Sequence, residues 1–247
     1  MLGLVAFASV FFYTIDMIYF AHRGANTQRV QNTVAAFALA QQQGATHYEL
    51  DVHLLTDGQL AIHHDYTLLQ TTGHDVMLKD LSSIDLIDYP LTNQFSADKV
   101  TIPLLREVLP VISPGLELLN IELKNDGNCY PGIEKRLLSF LQDYPHLIHK
   151  ILFSSFDYDT LQRLRALCPQ ARIGLLTRQF EVQKALDLGA ESVHINHIRF
   201  TPQIADICRA NQLKVYCYTV NEVQLARQLA AQGVAGIFTD DITVFRH

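Results

Sequence analysis

Nine short apolar runs alternate with helical patterns, and a hairpin signal takes one of them out of the count. Charged residues also cap several runs. Together these predict an α/β chain, a (β/α)8 TIM barrel with an antiparallel hairpin after the second strand. The runs are apolar on both faces, as in Lys150-Ile151-Leu152-Phe153 and Gly236-Ile237-Phe238, which suits a parallel sheet covered by helices. The alternative is an open doubly wound sheet, which calls for a glycine-rich phosphate loop after the first strand. His22-Arg23-Gly24 stands there instead. At 247 residues and 49% hydrophobic, the chain has ample material for one such core.

The first strand, 17–21, ends in His22-Arg23-Gly24, and a polar loop leads to a helix over 33–43. The second strand carries Glu49 and Asp51. Residues two apart on a strand face the same side, so the two carboxylates project together. Only five residues, 54–58, separate His53 from Gln59, whereas a parallel crossover needs about a dozen. The segment 59–63 therefore returns antiparallel. Asp57-Gly58 between alternating apolar residues is a two-residue hairpin signal. Folding about it opposes Thr56 to Gln59, Leu54 to Ala61 and Asp51 to His64, which places His64 beside both carboxylates.

A polar loop over 66–73 precedes an expected helix at 78–87, with Asp80 near its start. Pro90 and the 93–98 cluster mark another loop. Pro103 suits the first turn of a helix reaching 111, and Pro114-Gly115 is a turn. The strand 116–124 ends in Glu122-Leu123-Lys124, whose two charged residues face one side. Beyond it the rhythm is regular. Helices are expected at 131–143, 158–167, 179–188, 202–211 and 222–232, between strands at 150–154, 171–176, 191–195, 213–219 and 235–239. Gly44, Gly189 and Gly233 lie just past helix ends, where a left-handed cap is wanted.

A net charge of -6 and a pI near 6.0, with no basic run, argue against nucleic-acid backbone binding. The four cysteines show no CxxC or CxxH spacing, so they read as reduced, mostly buried thiols and not as zinc ligands. Residues 1–16 form an apolar N-terminal segment ahead of a barrel domain at 17–247. Its first fifteen residues carry no charge. They fall short of the ~20 residues of a bilayer span, and they lack the basic start and cleavage site of a signal peptide. Three readings stay open: a segment docked on the domain, the tail of a membrane helix, or a weak membrane anchor. Localisation accordingly stays open between cytoplasmic and membrane-associated.

In a (β/α)8 barrel the active site lies at the carboxyl ends of the strands. His22 and Arg23 end the first strand, Glu49 and Asp51 the second, and Glu122 and Lys124 the next barrel strand, while His64 returns to the same place. Any one of them alone reads as a capped strand end; seven converging on one mouth read as a site. Glu49, Asp51 and Glu122 are hard oxygen ligands with no thiolate nearby, which suits one divalent cation, Mg2+ or Ca2+. Left empty, they repel one another and some protonate. Three carboxylates and a divalent ion leave one negative charge. Arg23 and Lys124 turn this into one positive charge, the complement of a phosphodiester monoanion. Arg23 offers a planar fork to phosphate oxygens and Lys124 a point charge. His22 and His64 are the natural general acid and base near neutral pH. His63 alternates to the opposite face and reads as packed.

Taken in order, the motifs His22-Arg23-Gly24, Gln31-Asn32-Thr33, Glu49-Leu50-Asp51-Val52, Thr56-Asp57-Gly58 and His64-Asp65 resemble the glycerophosphodiester phosphodiesterase family. So do Ile121-Glu122-Leu123-Lys124, Ser154-Ser155-Phe156, Tyr218-Thr219-Val220-Asn221 and the run from Gly233 to Asp240. The likeness extends over residues 17–240. It implies a metal-dependent phosphoric diester hydrolase on a (β/α)8 barrel that cleaves glycerophosphodiesters to glycerol 3-phosphate and an alcohol. Carried over residue by residue, His22 and His64 are the acid/base pair, Arg23 and Lys124 contact phosphate, and Glu49, Asp51 and Glu122 hold the metal. In the family a glycerol hydroxyl attacks phosphorus and expels the alcohol, and water then opens the cyclic phosphate. The chain departs from the family pattern at Gln31 (usually Glu), Gln70 (often Arg), Tyr218 (often Trp) and Ala235 (often Asp). Tyr218 keeps an aromatic wall with a hydroxyl for the substrate. The partner expected is a small glycerophosphodiester, with lysophospholipase D-type cleavage of a lysophospholipid as the alternative and membrane contact through residues 1–16 left open. A barrel that has lost turnover, and a metal-dependent sugar or carboxylate enzyme, are the readings from other classes.

Overall fold

The computed structural model describes residues 17–245, so the apolar segment 1–16 and its docking or membrane readings lie outside the described residues. In chain order the strands are β1 (Ile18–His22), β2 (His47–Leu54), β3 (Leu60–Ile62), β4 (Leu118–Leu123), β5 (Ile151–Ser155), β6 (Arg172–Thr177), β7 (Ser192–Asn196), β8 (Lys214–Tyr218) and β9 (Gly236–Thr239). The helices are α1 (Val34–Gln42), α2 (Leu69–Thr72), α3 (Leu105–Ile112), α4 (Ile133–Leu141), α5 (Tyr158–Leu167), α6 (Val182–Asp187), α7 (Pro202–Ala210) and α8 (Val223–Ala231). The sheet runs β1-β9-β8-β7-β6-β5-β4-β2 and closes through a parallel β1–β2 pairing, with β3 attached antiparallel outside the ring. It is a (β/α)8 barrel with a hairpin, as the alternation predicts.

The closure follows from what each strand buries. Inside the barrel, Phe20, Leu118, Leu152, Tyr216 and Phe238 form their own cluster, with Phe20 stacked on Phe238 at 4.7 Å between centroids. Truncating a ring this buried costs about 3–5 kcal/mol. Outside, a larger cluster joins the strands to the helices; α1 contributes Phe37 and Ala40 to it. The start of α1 is fixed by Thr33, whose Oγ1 accepts from the Ala36 N–H at 3.2 Å. Gly24, with φ +83°, has to be glycine on a second count as well: a Cβ there would lie 2.6 Å from the Ala36 carbonyl carbon. This close approach sets α1 against the loop that carries His22 and Arg23. A third apolar cluster (including Leu55, Leu68, Leu78, Leu86 and Ile102) lies under the excursion between β3 and α3.

Two local expectations differ from the structure. The β2–β3 register opposes Val52 to Ile62, His53 to Ala61 and Leu54 to Leu60, one residue away from the two-residue hairpin pairing. The chain forms a three-residue loop: the Gly58 N–H donates to the Leu55 carbonyl, and Gly58 takes φ +78°. This is the arrangement in which glycine supplies a left-handed residue after the turn. Asp57 is drawn off to cap Ser83 through its side chain, which stabilises the longer loop. The helix expected at 78–87 is instead two 3-10 turns, Leu78–Asp80 and Asp85–Asp88. Ser82 interrupts it: both its N–H and its hydroxyl donate to Asp85 Oδ2, a local alternative to helical bonding.

Candidate active site

The carboxyl ends of β1, β2 and β4 bring six of the seven charged candidates together, and the chain after β3 delivers His64. β2 runs beside β4 in a register that opposes Asp51 to Glu122, and β1 beside β2 so that His22 opposes Glu49. The three carboxylates Glu49, Asp51 and Glu122 are buried, with one ligand oxygen from each within 4.8 Å of the others. Among the described residues Asp51 Oδ1 accepts no hydrogen bond although it is fully buried, with Lys124 Nζ 3.6 Å away, and such an oxygen among two more carboxylates is what a hard divalent cation would satisfy. Without a cation the cluster's charges conflict. Burial, and then the charge of Asp51, push Glu49 well above the usual carboxylate range. Burial also raises Glu122 to about 7, against the pull of Lys124. Asp51 alone is held low, because Lys124 and Arg23 outweigh its burial. The donor set fits the expected cation.

Lys124 Nζ lies 2.8 Å from Glu122 Oε1 and 3.6 Å from Asp51 Oδ1. Arg23 takes φ 59°, an uncommon left-handed conformation for a residue with a Cβ, and its Nε sits 3.4 Å from Asp51 Oδ2 while NH1 donates to Gln31 Oε1 at 2.6 Å. Both cations thus border the carboxylate cluster.

Two histidines face the cluster, and each leans on a carboxylate. His22 Nδ1 is 2.7 Å from Asp240 Oδ1, and His64 Nδ1 is 2.7 Å from Asp65 Oδ1. A carboxylate only accepts, so Nδ1 carries the proton in both rings, and Nε2 is the atom left to face outward. For His22 that atom points at the cluster, 4.0 Å from Glu49 Oε2. Burial lowers the affinity of His22 for a second proton, and its hydrogen bond to Asp240 works against this. Burial also lowers His64, opposed first by the charge of Asp51. His63 is packed as expected: it is 4% exposed, with its ring nitrogens on the Asp65 carbonyl and Thr71 Oγ1.

A cavity of about 170 Å3 sits on these groups, lined by Glu49, Glu122, Arg23, His22 and His64 on the polar side. Phe156, Leu176, Tyr218 and Phe238 form its apolar wall. Tyr218 stands edge-on to Phe156 at 6.1 Å, and burial raises its hydroxyl to about 12, so it stays protonated.

Three residues were given no role by the sequence, although Asn32 and Asp240 fall within the motifs quoted above. Asp240 orients His22 and accepts further bonds from Asn26 Nδ2 (2.6 Å) and Asn221 Nδ2 (2.7 Å). It directly follows the last strand, so the strand-end rule that exposed the other charged residues applies to it as well. Asn32 Nδ2 donates to Asp51 Oδ2 at 2.8 Å. Asn120 lines the cavity floor; its Nδ2 donates to Ser154 Oγ at 3.0 Å, while its Oδ1, buried, has no partner. A polar residue in the apolar run 116–121, two before Glu122 and so on the same face, was the available signal for it.

Comparison with known proteins gives a consistent result. The family model for the Glycerophosphoryl diester phosphodiesterase family matches residues 22–244. The chain is 33% identical over 228 residues to the Glycerophosphodiester phosphodiesterase of Caldanaerobacter subterraneus subsp. tengcongensis, covering 90% of this chain and 93% of that one. It is 34% identical over 229 residues to the Bacillus altitudinis Glycerophosphodiester phosphodiesterase, with the same coverage of 90% and 93%. Among solved structures, the Oleispira antarctica phosphodiesterase in complex with the product sn-glycerol-3-phosphate superposes with a TM-score of 0.77 at 30% identity, over 92% of this chain and 94% of that one.

Proposed function

Because the chain belongs to the glycerophosphoryl diester phosphodiesterase family, whose reaction is the hydrolysis of glycerophosphodiesters, we propose how its own residues divide that work. The observation that carries the reading is the pair of imidazoles, each with Nδ1–H committed to a carboxylate, flanking one cavity that is also lined by Arg23 and by Glu49 and Glu122 of the acidic triad. The substrate's phosphate sits between His22, His64 and Arg23, with the Arg23 guanidinium donating to its oxygens. The glycerol arm lies in the 170 Å3 cavity, against Tyr218 and Phe156, where the orphan Asn120 Oδ1 accepts from a glycerol hydroxyl. One imidazole takes the proton of the attacking glycerol hydroxyl at Nε2, and the other returns a proton to the departing alcohol oxygen. When water opens the cyclic phosphate, the two exchange roles. Asp240 and Asp65 hold the tautomer and offset the positive charge each ring acquires.

Glu49, Asp51 and Glu122 would hold a single Mg2+ or Ca2+, which when bound draws charge from the phosphoryl oxygens and acidifies a hydroxyl beside it. Lys124 keeps this cluster charge-balanced and presents its ammonium to the phosphate side.

The test is release of glycerol 3-phosphate from deacylated and monoacyl glycerophosphodiesters, with EDTA and then with Mg2+ or Ca2+ added back. Loss with EDTA and recovery with either ion is expected, with the deacylated substrates ahead because the cavity matches a bare three-carbon arm. Absence of release from folded protein with either ion overturns the reading; faster release from the monoacyl substrate moves it to the lysophospholipase D-type reaction. Glu122→Ala is expected to weaken Mg2+ or Ca2+ binding in calorimetry, and an unchanged affinity would remove Glu122 from the ligand set.

A further inference from the structure

A second cavity, of about 580 Å3, opens beside the first and shares His22, Arg23, His64 and Thr219 with it. The acidic cluster lies only on the side of the smaller cavity: Glu49 and Glu122 line that one and not this one. If the attacking hydroxyl is on the glycerol arm, that arm has to lie at the acidic cluster. In-line displacement then sends the departing alcohol to the opposite side of the phosphorus, past the shared histidines. The larger cavity is what it meets there.

The lining of this groove has a definite chemistry. Gln31, Gln70 and Gln94 contribute amides, Arg29 a guanidinium and Phe95 one ring. Gln31 spends its oxygen on Arg23 NH1, so its amide N–H groups are what it has left to offer. His63, which also lines the groove, has both ring nitrogens engaged within the protein. Among the described residues that line the groove the one carboxylate is Asp240, and it already accepts from His22, Asn26 and Asn221. A cationic amine therefore finds no uncommitted anion and no aromatic cage, and it faces Arg29 of the same sign. A polyol finds amide donors and acceptors that match its hydroxyls in both senses.

We propose that this groove is the leaving-alcohol subsite and that it selects an uncharged polyol over a cationic amine alcohol. The proposal rests on the diesterase reading above and adds the substrate class to it. Two features of the groove bear the selection, the exposed Arg29 guanidinium and the absence of an unpaired carboxylate among the glutamines. Both can be reversed by single substitutions at residues that do not line the cavity with the acidic cluster.

The experiment compares kcat/KM for glycerophosphoglycerol and glycerophosphoinositol with kcat/KM for glycerophosphoethanolamine and glycerophosphocholine, at saturating Mg2+ or Ca2+. A preference for the polyols of about 10-fold or more is expected, the scale at which one mismatched group in a pocket discriminates. Arg29→Glu and, separately, Gln94→Glu should shrink that ratio mainly through a lower KM for the amine substrates. Equal rates, or faster cleavage of the amine substrates by the wild-type protein, overturn the proposal while leaving the diesterase reading intact. A polyol preference that neither substitution changes overturns the assignment to this groove. Failure to cleave any of the four substrates overturns the diesterase reading itself.

Discussion

Two kinds of histidine occupy this barrel, and they differ in the charge of the partner as well as in depth of burial. At the mouth, His22 and His64 each place Nδ1 2.7 Å from a carboxylate. Elsewhere, His53 bonds to the Tyr130 hydroxyl at 2.7 Å, and His194, within the barrel, to Ser192 Oγ at 2.9 Å. The second ring nitrogen of both is buried without a hydrogen-bond partner among the described residues. Burial drives His53 and His194 down to about 3, with nothing anionic in hydrogen-bond reach to resist it. The mouth histidines are only partly buried, with 14% of the His22 side chain and 38% of the His64 side chain exposed, and a carboxylate stands ready to stabilise the imidazolium. A ring that must gain and lose a proton during a reaction needs that partner, and a ring that only fills space does not.

Removing the rings is the sharpest way to break this comparison. His22→Ala and His64→Ala are each expected to lower kcat by about 10²–10⁴, the range of general acid–base catalysis. Metal binding, followed by calorimetry, should survive both substitutions. His194→Gln should leave kcat/KM close to wild-type. Near-normal turnover in either alanine variant would take that ring out of the mechanism; a large loss in His194→Gln would erase the distinction between the two regions.

The carboxylates give a smaller and more discriminating test. Asp240 is 24% exposed in its side chain and tied to three donors, whereas Asp65 is 37% exposed and bonds the adjacent ring. Water can stand in for Asp65 more readily than for Asp240. Asp240→Asn should therefore cost about 10–100-fold in kcat/KM, as outer partners of catalytic groups do. Asp65→Asn should cost less. The opposite order would mean that exposure does not govern how strongly each carboxylate supports its ring.

Adjacency and distance also explain what the sequence made legible. The barrel was readable because parallel strands buried on both faces appear as short apolar runs, and the seven polar residues interrupt those runs at their ends. Asp65 adjoins His64, but Asp240 is 218 positions from His22, and a pairing at that separation exists only after β1 and β9 have come together. The hairpin register failed for the same kind of reason. The three-residue loop depends on Asp57 reaching Ser83, a contact outside the local window. The 3-10 turns in place of the helix at 78–87 rest on Ser82 and Asp85 bonding, a competition that apolar periodicity does not register.

The last effect concerns stability, not turnover, and comes from the histidine without a carboxylate. His194 binds a proton in the unfolded chain at about 6.5 but in the folded protein only at about 3. Above the unfolded value both states are neutral at this site, and His194 makes stability independent of pH. As pH falls from about 6.5 towards 3, the unfolded chain takes up a proton that the folded one refuses. The contribution therefore destabilises the fold progressively across that window and levels off below it. Its slope is at most about 1.4 kcal/mol per pH unit, the value of one proton. Gly174 allows no easy escape, since its missing side chain is what lets the ring in: a Cβ there would lie 2.3 Å from His194 Nε2. Urea denaturation of wild-type and His194→Gln protein at several pH values between 6.5 and 4 measures the difference directly. The variant should lose stability less steeply on acidification, whatever its absolute stability. Parallel slopes would mean that His194 is protonated in the folded state after all, and that a hydroxyl partner supports an imidazolium as well as a carboxylate does.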